Sequence, residues 1–375
     1  MQDSWLSRLA GSFKSVAFGG LVVCGALPAM WCNEGRAVTT ARSLEEGAGV
    51  VVSASSEAVD PANEGRLVHV VGRADTAETV RDPDLGVAAT AIRLVRTSEM
   101  YQWKEHERTV RRVRPSGGQS EEEKEYTYYK EWSEHEISSG SFHSSSAPRN
   151  PGPVPFPSTA FSAQAVTLGA FSLPAELVAK MKTVEPLPLT GSPSESRPGG
   201  MRRAGDGLYR GRDPERPEIG DLRVRYGVVR PQVVSVVAGQ SGRGFRPYQT
   251  HSGDALSMLE AGERPAASMF QAAVAVNRVL TWILRAVAYF FVAFGIFLVF
   301  RPVAVLGEAV PLVGGLLGAG LWLFSLGLGA VLSFATIATA WVFYRPLFGV
   351  ALLVAIGATV VWLRRRAGRA ATAPR

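Results

Sequence analysis

Residues 279–300 read VLTWILRAVAYFFVAFGIFLVF, and the apolar run they open continues to Leu363, interrupted only by Arg285, Arg301, Glu308 and Arg345. A hydrocarbon core about 30 Å thick takes ~20 apolar helical residues to cross. The run therefore holds several crossings and predicts an integral membrane module. Val279–Phe300 makes one crossing. Ala309–Tyr344 is a stretch of 36 residues without a charge. As one helix it would be ~54 Å long, too long for a single span and short for two with a turn. Pro346–Leu363 makes the last crossing and ends on Arg364, Arg365 and Arg366.

A second apolar segment, Ser15–Trp31, follows Arg8 and Lys14. It reads as a cleaved signal peptide or a permanent anchor. Valines at positions where either processing step wants small residues favour the anchor, and Trp5 and Trp31 flank it as interfacial aromatics do. Arg8 and Lys14 at one end, and Arg364, Arg365 and Arg366 at the other, both belong on the cytoplasmic side. Matching ends require an even number of crossings. Four transmembrane helices follow, with an interfacial or re-entrant piece near 309–318 and the span proper nearer Gly320–Ala340. The predicted order is a cytoplasmic stretch 1–14, an anchor 15–32, a large β-rich non-cytoplasmic domain 33–278, a three-helix module 279–363 and a basic tail 364–375.

Composition agrees. The chain has 375 residues, only 19% of them charged, and a formal charge of +7; its mean hydropathy is +0.08. Five arginines fall in the last twelve residues without an acid among them, a pattern of positive-inside topology rather than nucleic-acid binding. Cys24 and Cys32 lie in or beside the anchor, eight residues apart, too far along a helix to bridge. The extramembrane domain must therefore hold together by packing alone.

Between the apolar segments the pattern is mostly strand. Ala37, Val38, Ala41 and Leu44 recur at helical spacing and predict a short amphipathic helix ending at Gly47, with an exposed connector as the alternative. Val50–Ser53 and Leu67–Gly72 read as strands joined by a turn. Ala91–Val95 runs on to Glu107 and pairs as a long hairpin with Glu125–Ile137, leaving Arg114–Glu123 as the loop. Pro-rich linkers occupy 144–158 and 186–221; the second carries Arg202, Arg203, Arg210 and Arg212 and reads as a basic loop. A short helix is expected over Pro174–Met181 and another over Asp254–Glu260. Leu222, Val224 and Tyr226 alternate with polar residues as in a half-buried strand, followed by Gln232–Ala238 as a more apolar one.

Chemistry is not legible. No Gly-rich phosphate loop, zinc-protease pair or nucleophile elbow occurs. His106 and His135 each sit between glutamates, but neighbours on a strand point to opposite faces and cannot chelate together. No catalytic residue, cofactor site or metal site is predicted, and the chain reads as non-enzymatic. Small residues at Gly314-x-x-x-Gly318, Gly315-x-x-x-Ala319 and Ser325-x-x-x-Gly329 allow close helix approach, either within the bundle or between copies. Arg285, Arg301 and Arg345 sit where they can snorkel to an interface. A membrane scaffold is the first reading, and a channel or transport component built on the Gly-rich 309–344 segment is the alternative.

Several stretches carry a resemblance that spans nearly the whole chain. They are Ser4-Trp5 with the anchor, Asn33-Glu34-Gly35-Arg36-Ala37-Val38, and Thr40-Ala41-Arg42-Ser43-Leu44-Glu45-Glu46-Gly47. Further on come Val59–Gly65, Met100–Glu105, Gly220–Val224 and Phe343-Tyr344-Arg345-Pro346-Leu347. In this order they resemble the transmembrane protein 43 (LUMA) family, while Arg111–Glu123 and Pro186–Pro214 depart from it. The resemblance implies four transmembrane segments and a luminal domain. It also implies self-association, residence in the endoplasmic reticulum and inner nuclear membrane, and, in an animal cell, lamins and emerin as partners. In a bacterium the same topology places the protein in the inner membrane. The resemblance supplies no catalytic residue.

Overall fold

A computed structural model describes residues 5–113, 120–189, 198–307 and 313–345, with Ala351, Val354 and Ala358. Its α+β architecture divides into a helical unit (residues 1–50, 249–256 and 267–375) and a β-rich unit (51–248 and 257–266).

In chain order the elements are α1 (Trp5–Val50), β1 (Val52–Ala54), β2 (Leu67–Asp75), β3 (Thr79–Arg81), β4 (Ala88–Thr90), β5 (Arg93–Val113) and β6 (Ser120–Ser133). After β7 (Thr159–Ser162), β8 (Thr167–Leu168) and β9 (Phe171–Ser172) come α2 (Ala175–Val178), β10 (Glu185–Pro186), β11 (Arg202–Ala204) and β12 (Gly207–Arg210). The chain continues through β13 (Leu222–Val229), β14 (Gln232–Ser241), β15 (Gly244–Arg246), β16 (Tyr248–Gln249), β17 (Ala255–Leu256) and β18 (Met258–Ala261) to α3 (Ala266–Gly307) and α4 (Val313–Tyr344).

Among the described residues three helices are long and apolar enough to cross a membrane: Lys14–Val50 in α1, Ala266–Ala304 in α3 and Leu317–Tyr344 in α4. The fourth expected crossing, Pro346–Leu363, lies outside the described residues apart from three positions, as do Arg364, Arg365 and Arg366. The anchor does not stop at 32. Pro28 is accommodated inside α1, and the helix runs on to Val50, so the stripe read as a separate amphipathic helix is its continuation. Ala37, Val38 and Leu44 are buried on that stripe, and the β-rich unit begins at Val51 rather than at 33. Of the expected re-entrant piece, residues 308–312 lie outside the described set, and from Val313 onward the chain is already continuous helix. With ~1.5 Å of rise per residue, the surplus length is taken up as helix beyond one span.

The helices meet through small residues. A Cβ on Gly19 of α1 would lie 2.5 Å from the Gly295 carbonyl oxygen of α3, and one on Gly295 would lie 2.8 Å from that of Gly19. Neither backbone can yield. In α4, Ser325 and Ser333 are buried, and a Cβ on Gly329 would come within 3.1 Å of Ala293. Ser325-x-x-x-Gly329 is thus spent on packing within the chain. Large side chains on the opposite faces, among them Phe290, Leu323 and Phe334, are exposed, as lipid-facing residues are. Replacing Gly295 by valine is expected to cost about 1–3 kcal/mol through overpacking, read as a lower melting temperature of the full chain in detergent. Gly20→Ala, where the space is open, should leave melting unchanged.

In the β-rich unit, pairings run β2–β8–β9–β15–β14 and back to β2, a closed circuit flanked by β1 and β18. A second sheet has the order β11–β12–β13–β5–β6, with β10 on β13 and β7 on β5. Val68, Val70, Leu94, Phe171, Val224, Val234 and Val236 share one buried core. The long hairpin forms, from Met100 opposite Ser133 to Val113 opposite Ser120, but its second strand takes in 120–123, read as loop, and stops at Ser133, short of Ile137; Tyr101 packs across from Trp132 with ring centroids 5.1 Å apart. Alternation on β13 is also as read. The two strands on either side of the 60–65 turn form as read and pair in parallel. Three local readings differ from the structure, those of 254–260, the basic loop and the extent of α2. The Asp254–Glu260 stretch holds strands β17 and β18 in place of a helix. Part of the supposed basic loop is the β11–β12 hairpin, seated on β13 by buried Leu208 and Tyr209. α2 is confined to Ala175–Val178, after Pro174 as N-cap.

This core contains a charged knot. The Arg96 guanidinium donates to Asp82 at 2.9 and 2.8 Å and to Asp84 at 2.9 Å, and Tyr226 donates its hydroxyl proton to Asp82 Oδ2 at 2.5 Å. Asp82 and Arg96 are 0% and 2% exposed. Burial and then the Asp82 hydrogen bond push the Tyr226 hydroxyl well above its ordinary range.

At the sheet surface Arg223 grips Glu99 at 2.6 and 2.9 Å, and this hydrogen bonding holds the Glu99 carboxyl below its ordinary value despite partial burial. A depressed folded value means the stabilisation is present above the ordinary carboxylate pKa, about 4.3, and is lost as pH falls through the folded one. Melting temperature measured from pH 5 down to pH 3 should therefore fall less steeply in Glu99→Gln than in the native chain.

Candidate functional site

Charged and amide side chains gather where α1, α3 and α4 meet at one end of the helical unit. On α3, Asn277, Thr281 and Arg285 recur every four residues and so share a face. On α1, Asn33, Glu34 and Arg36 turn toward it. Arg285 makes a two-pronged ion pair with Glu34 at 2.6 and 2.7 Å. Glu34 also accepts from the Trp341 indole of α4 at 2.8 Å. The carboxylate is 1% exposed and the guanidinium 14%. Arg36 donates to Asn277 Oδ1 at 2.9 Å, to Thr281 Oγ1 at 3.0 Å and to Asn33 Oδ1 at 3.1 Å. Asn277 in turn donates to the Ala37 carbonyl at 3.0 Å.

Depth follows from helix rise. Lys14 and Glu34 are twenty residues apart on α1, ~30 Å, one hydrocarbon thickness. Trp31, Trp282, Trp341 and Tyr344 lie at the same end as Glu34, in the manner of an interfacial aromatic belt. A buried ion pair there is desolvated but does not lie at mid-bilayer.

The motif residues acquire physical roles. Gly35 has no side chain because a Cβ there would lie 2.7 Å from the Tyr344 ring, whose hydroxyl accepts from the Trp31 indole at 3.1 Å. A Cβ on Gly47 would strike Leu256 and crowd Phe270. Glu46 accepts from the backbone N–H of His251 at 3.0 Å and of Ser252 at 3.3 Å, and Ser43 accepts from Thr250 at 2.8 Å; together they hold the 249–256 segment against α1. Glu45 is exposed. Arg345 lies over the Trp341 ring at 5.8 Å. Arg285 does not merely snorkel, as the sequence suggested; it has a dedicated acid.

The other small-residue positions divide. Gly314 and Gly315 fall in the first turn of α4. Around Gly318 a Cβ would meet nothing within 4 Å, and Ala319 is exposed. Lys14 is exposed, and Pro346 lies outside the described residues. Among the described residues no group of three His, Cys, Asp or Glu side chains could hold a metal ion. The sequence reading missed the Glu34–Arg285 pair. Its signal was the four-residue spacing of Asn277, Thr281 and Arg285 inside an apolar helix, opposite a carboxylate three residues past Trp31.

A family model described as transmembrane protein 43 matches residues 100–346. The human transmembrane protein 43 is 34% identical over 365 residues, covering 94% of this chain and 90% of its own. The mouse protein of that name is 34% identical over 358 residues, 92% and 88% of the two chains. The transmembrane protein 43 homologue of Drosophila melanogaster is 29% identical over 374 residues, 96% and 97%. No solved structure matches.

Proposed function

Since the chain belongs to the transmembrane protein 43 family, we propose that it is a multi-pass membrane scaffold, without chemistry of its own, that self-associates and gathers other membrane or envelope proteins. The carrying observation is the division of small residues on α4. Ser325, Gly329 and Ser333 are consumed within the bundle, while Gly318 and Ala319 present a shallow face with open space above it. Small residues let backbones approach closely where no hydrophobic force drives helices together in lipid. The proposal extends to the endoplasmic reticulum and inner nuclear membrane as the compartment in a eukaryotic cell, with lamins and emerin as partners in an animal cell, and to the inner membrane in a bacterium.

The test is crosslinking of the full chain in native membranes. Gly318→Ile should lower the dimer yield about tenfold, equal to ~1.4 kcal/mol of association energy, with monomer melting unchanged. An undiminished dimer, or strictly monomeric native protein, would sink the reading. The channel alternative drew on the Gly-rich 309–344 segment and a re-entrant piece near its start; from Val313 to Tyr344 that segment is helix.

A further inference from the structure

Beside the Glu34–Arg285 pair lies a cavity of about 350 Å³ whose charged and aromatic lining is Glu34, Arg278, Trp282, Arg285, Trp341 and Arg345. Three guanidinium groups face one carboxylate, and that carboxylate is already held by Arg285. Among the described residues neither Arg278 nor Arg345 has an acidic partner. The cavity therefore carries two uncompensated positive charges. The remaining aromatic faces are braced by cations, with Arg285 4.8 Å from the Trp282 ring and 5.8 Å from that of Trp341.

Position selects the ligand. The cavity lies at the level of the tryptophan belt, where the phosphates of a bilayer leaflet sit. Exposed Val274 and Trp282 of α3 line it. A free anion gains nothing from such apolar neighbours, whereas acyl chains cover them. Arginine forks match phosphate oxygens two at a time, and the surplus charge disfavours a headgroup that brings its own ammonium without a second anion.

We propose that this cavity binds the phosphate-bearing headgroup of an anionic membrane phospholipid, with Arg278 and Arg345 as the phosphate-gripping residues. The inference stands apart from self-association, since no residue of the Gly318 face takes part.

The full chain, in mild detergent with an equimolar mixture of phosphatidylserine and phosphatidylcholine, should retain phosphatidylserine preferentially by native mass spectrometry. At about 1 kcal/mol for each arginine near a lipid surface, Arg278→Gln with Arg345→Gln should weaken that retention about 30-fold. The corresponding double lysine variant should keep most of it, which separates lost charge from lost fold. Arg301→Gln, twenty-three residues along α3 from Arg278, should change nothing. Equal retention of the two lipids, or undiminished retention by the double glutamine variant, overturns the proposal. Displacement of the lipid by excess inorganic phosphate would make this a free-anion site and overturn it equally.

Discussion

Asp82→Ala is expected to destabilise the β-rich unit by about 3–5 kcal/mol, the usual cost of stranding one partner of a buried ion pair. Arg96, 2% exposed, would keep Asp84, whose side chain is half in water, the Pro157 carbonyl and the face of the Phe161 ring, but no buried acid. The Tyr226 hydroxyl would lose its acceptor deep in the core. Asp82 also accepts from the backbone N–H of Asp84 at 2.9 Å, so the turn between β3 and β4 loosens as well. A domain is stable by only ~5–15 kcal/mol, so the loss should appear as a large fall in the unfolding midpoint of the full chain. Asp82→Asn, which keeps the shape and an acceptor, should recover part of it. An alanine variant that melts like the native chain would show that the knot contributes no net stability.

Glu34→Ala is the corresponding experiment in the helical unit, with an expected loss of about 3 kcal/mol. The figure is the lower end of that range because Arg285 lies near an interface and can turn toward it. The Trp341 indole loses its acceptor in the same step. Arg285→Ala should cost a similar amount. The double variant strands neither charge and should be markedly less damaged than the sum of the two, a coupling of about 1–3 kcal/mol. Additive losses would mean that the two side chains act independently. Melting in detergent supplies all four corners of the cycle.

The parts of this structure that were legible are those in which one pattern dictates one outcome. Continuous apolarity in 279–300 and 15–31 means helix in lipid. Alternation at Leu222, Val224 and Tyr226 means a half-buried strand. The aromatic and charged runs around 101–107 and 125–133 pair, as two strand-like runs separated by a polar stretch of sequence do. Where the reading went astray, tertiary partners decided the matter. Asp254–Glu260 has a helix-tolerant composition, but Met258–Ala261 is claimed by an edge of β14. Val52–Ala54 and β2 were legible as strands, but their parallel pairing is something no local signal reveals. For the candidate site, Glu34, Gly35 and Arg36 were marked by the family resemblance, but their meaning depends on Thr281, Arg285 and Tyr344, more than two hundred positions away. Tyr344 also explains Gly35, whose flexibility is not what matters; its lack of a side chain is.

That separation in sequence has a consequence in time. Glu34 and Arg285 are 251 residues apart, and a ribosome adding ~5–20 residues per second makes the acid about 12–50 s before its base. The β-rich unit is encoded wholly in between, so its chain has emerged before the bundle can close. During that interval Glu34 can wait only where water reaches it, at the boundary its position on α1 already assigns. Closure of the three helices is thus a late event in biogenesis, set by the arrival of α3 and then α4.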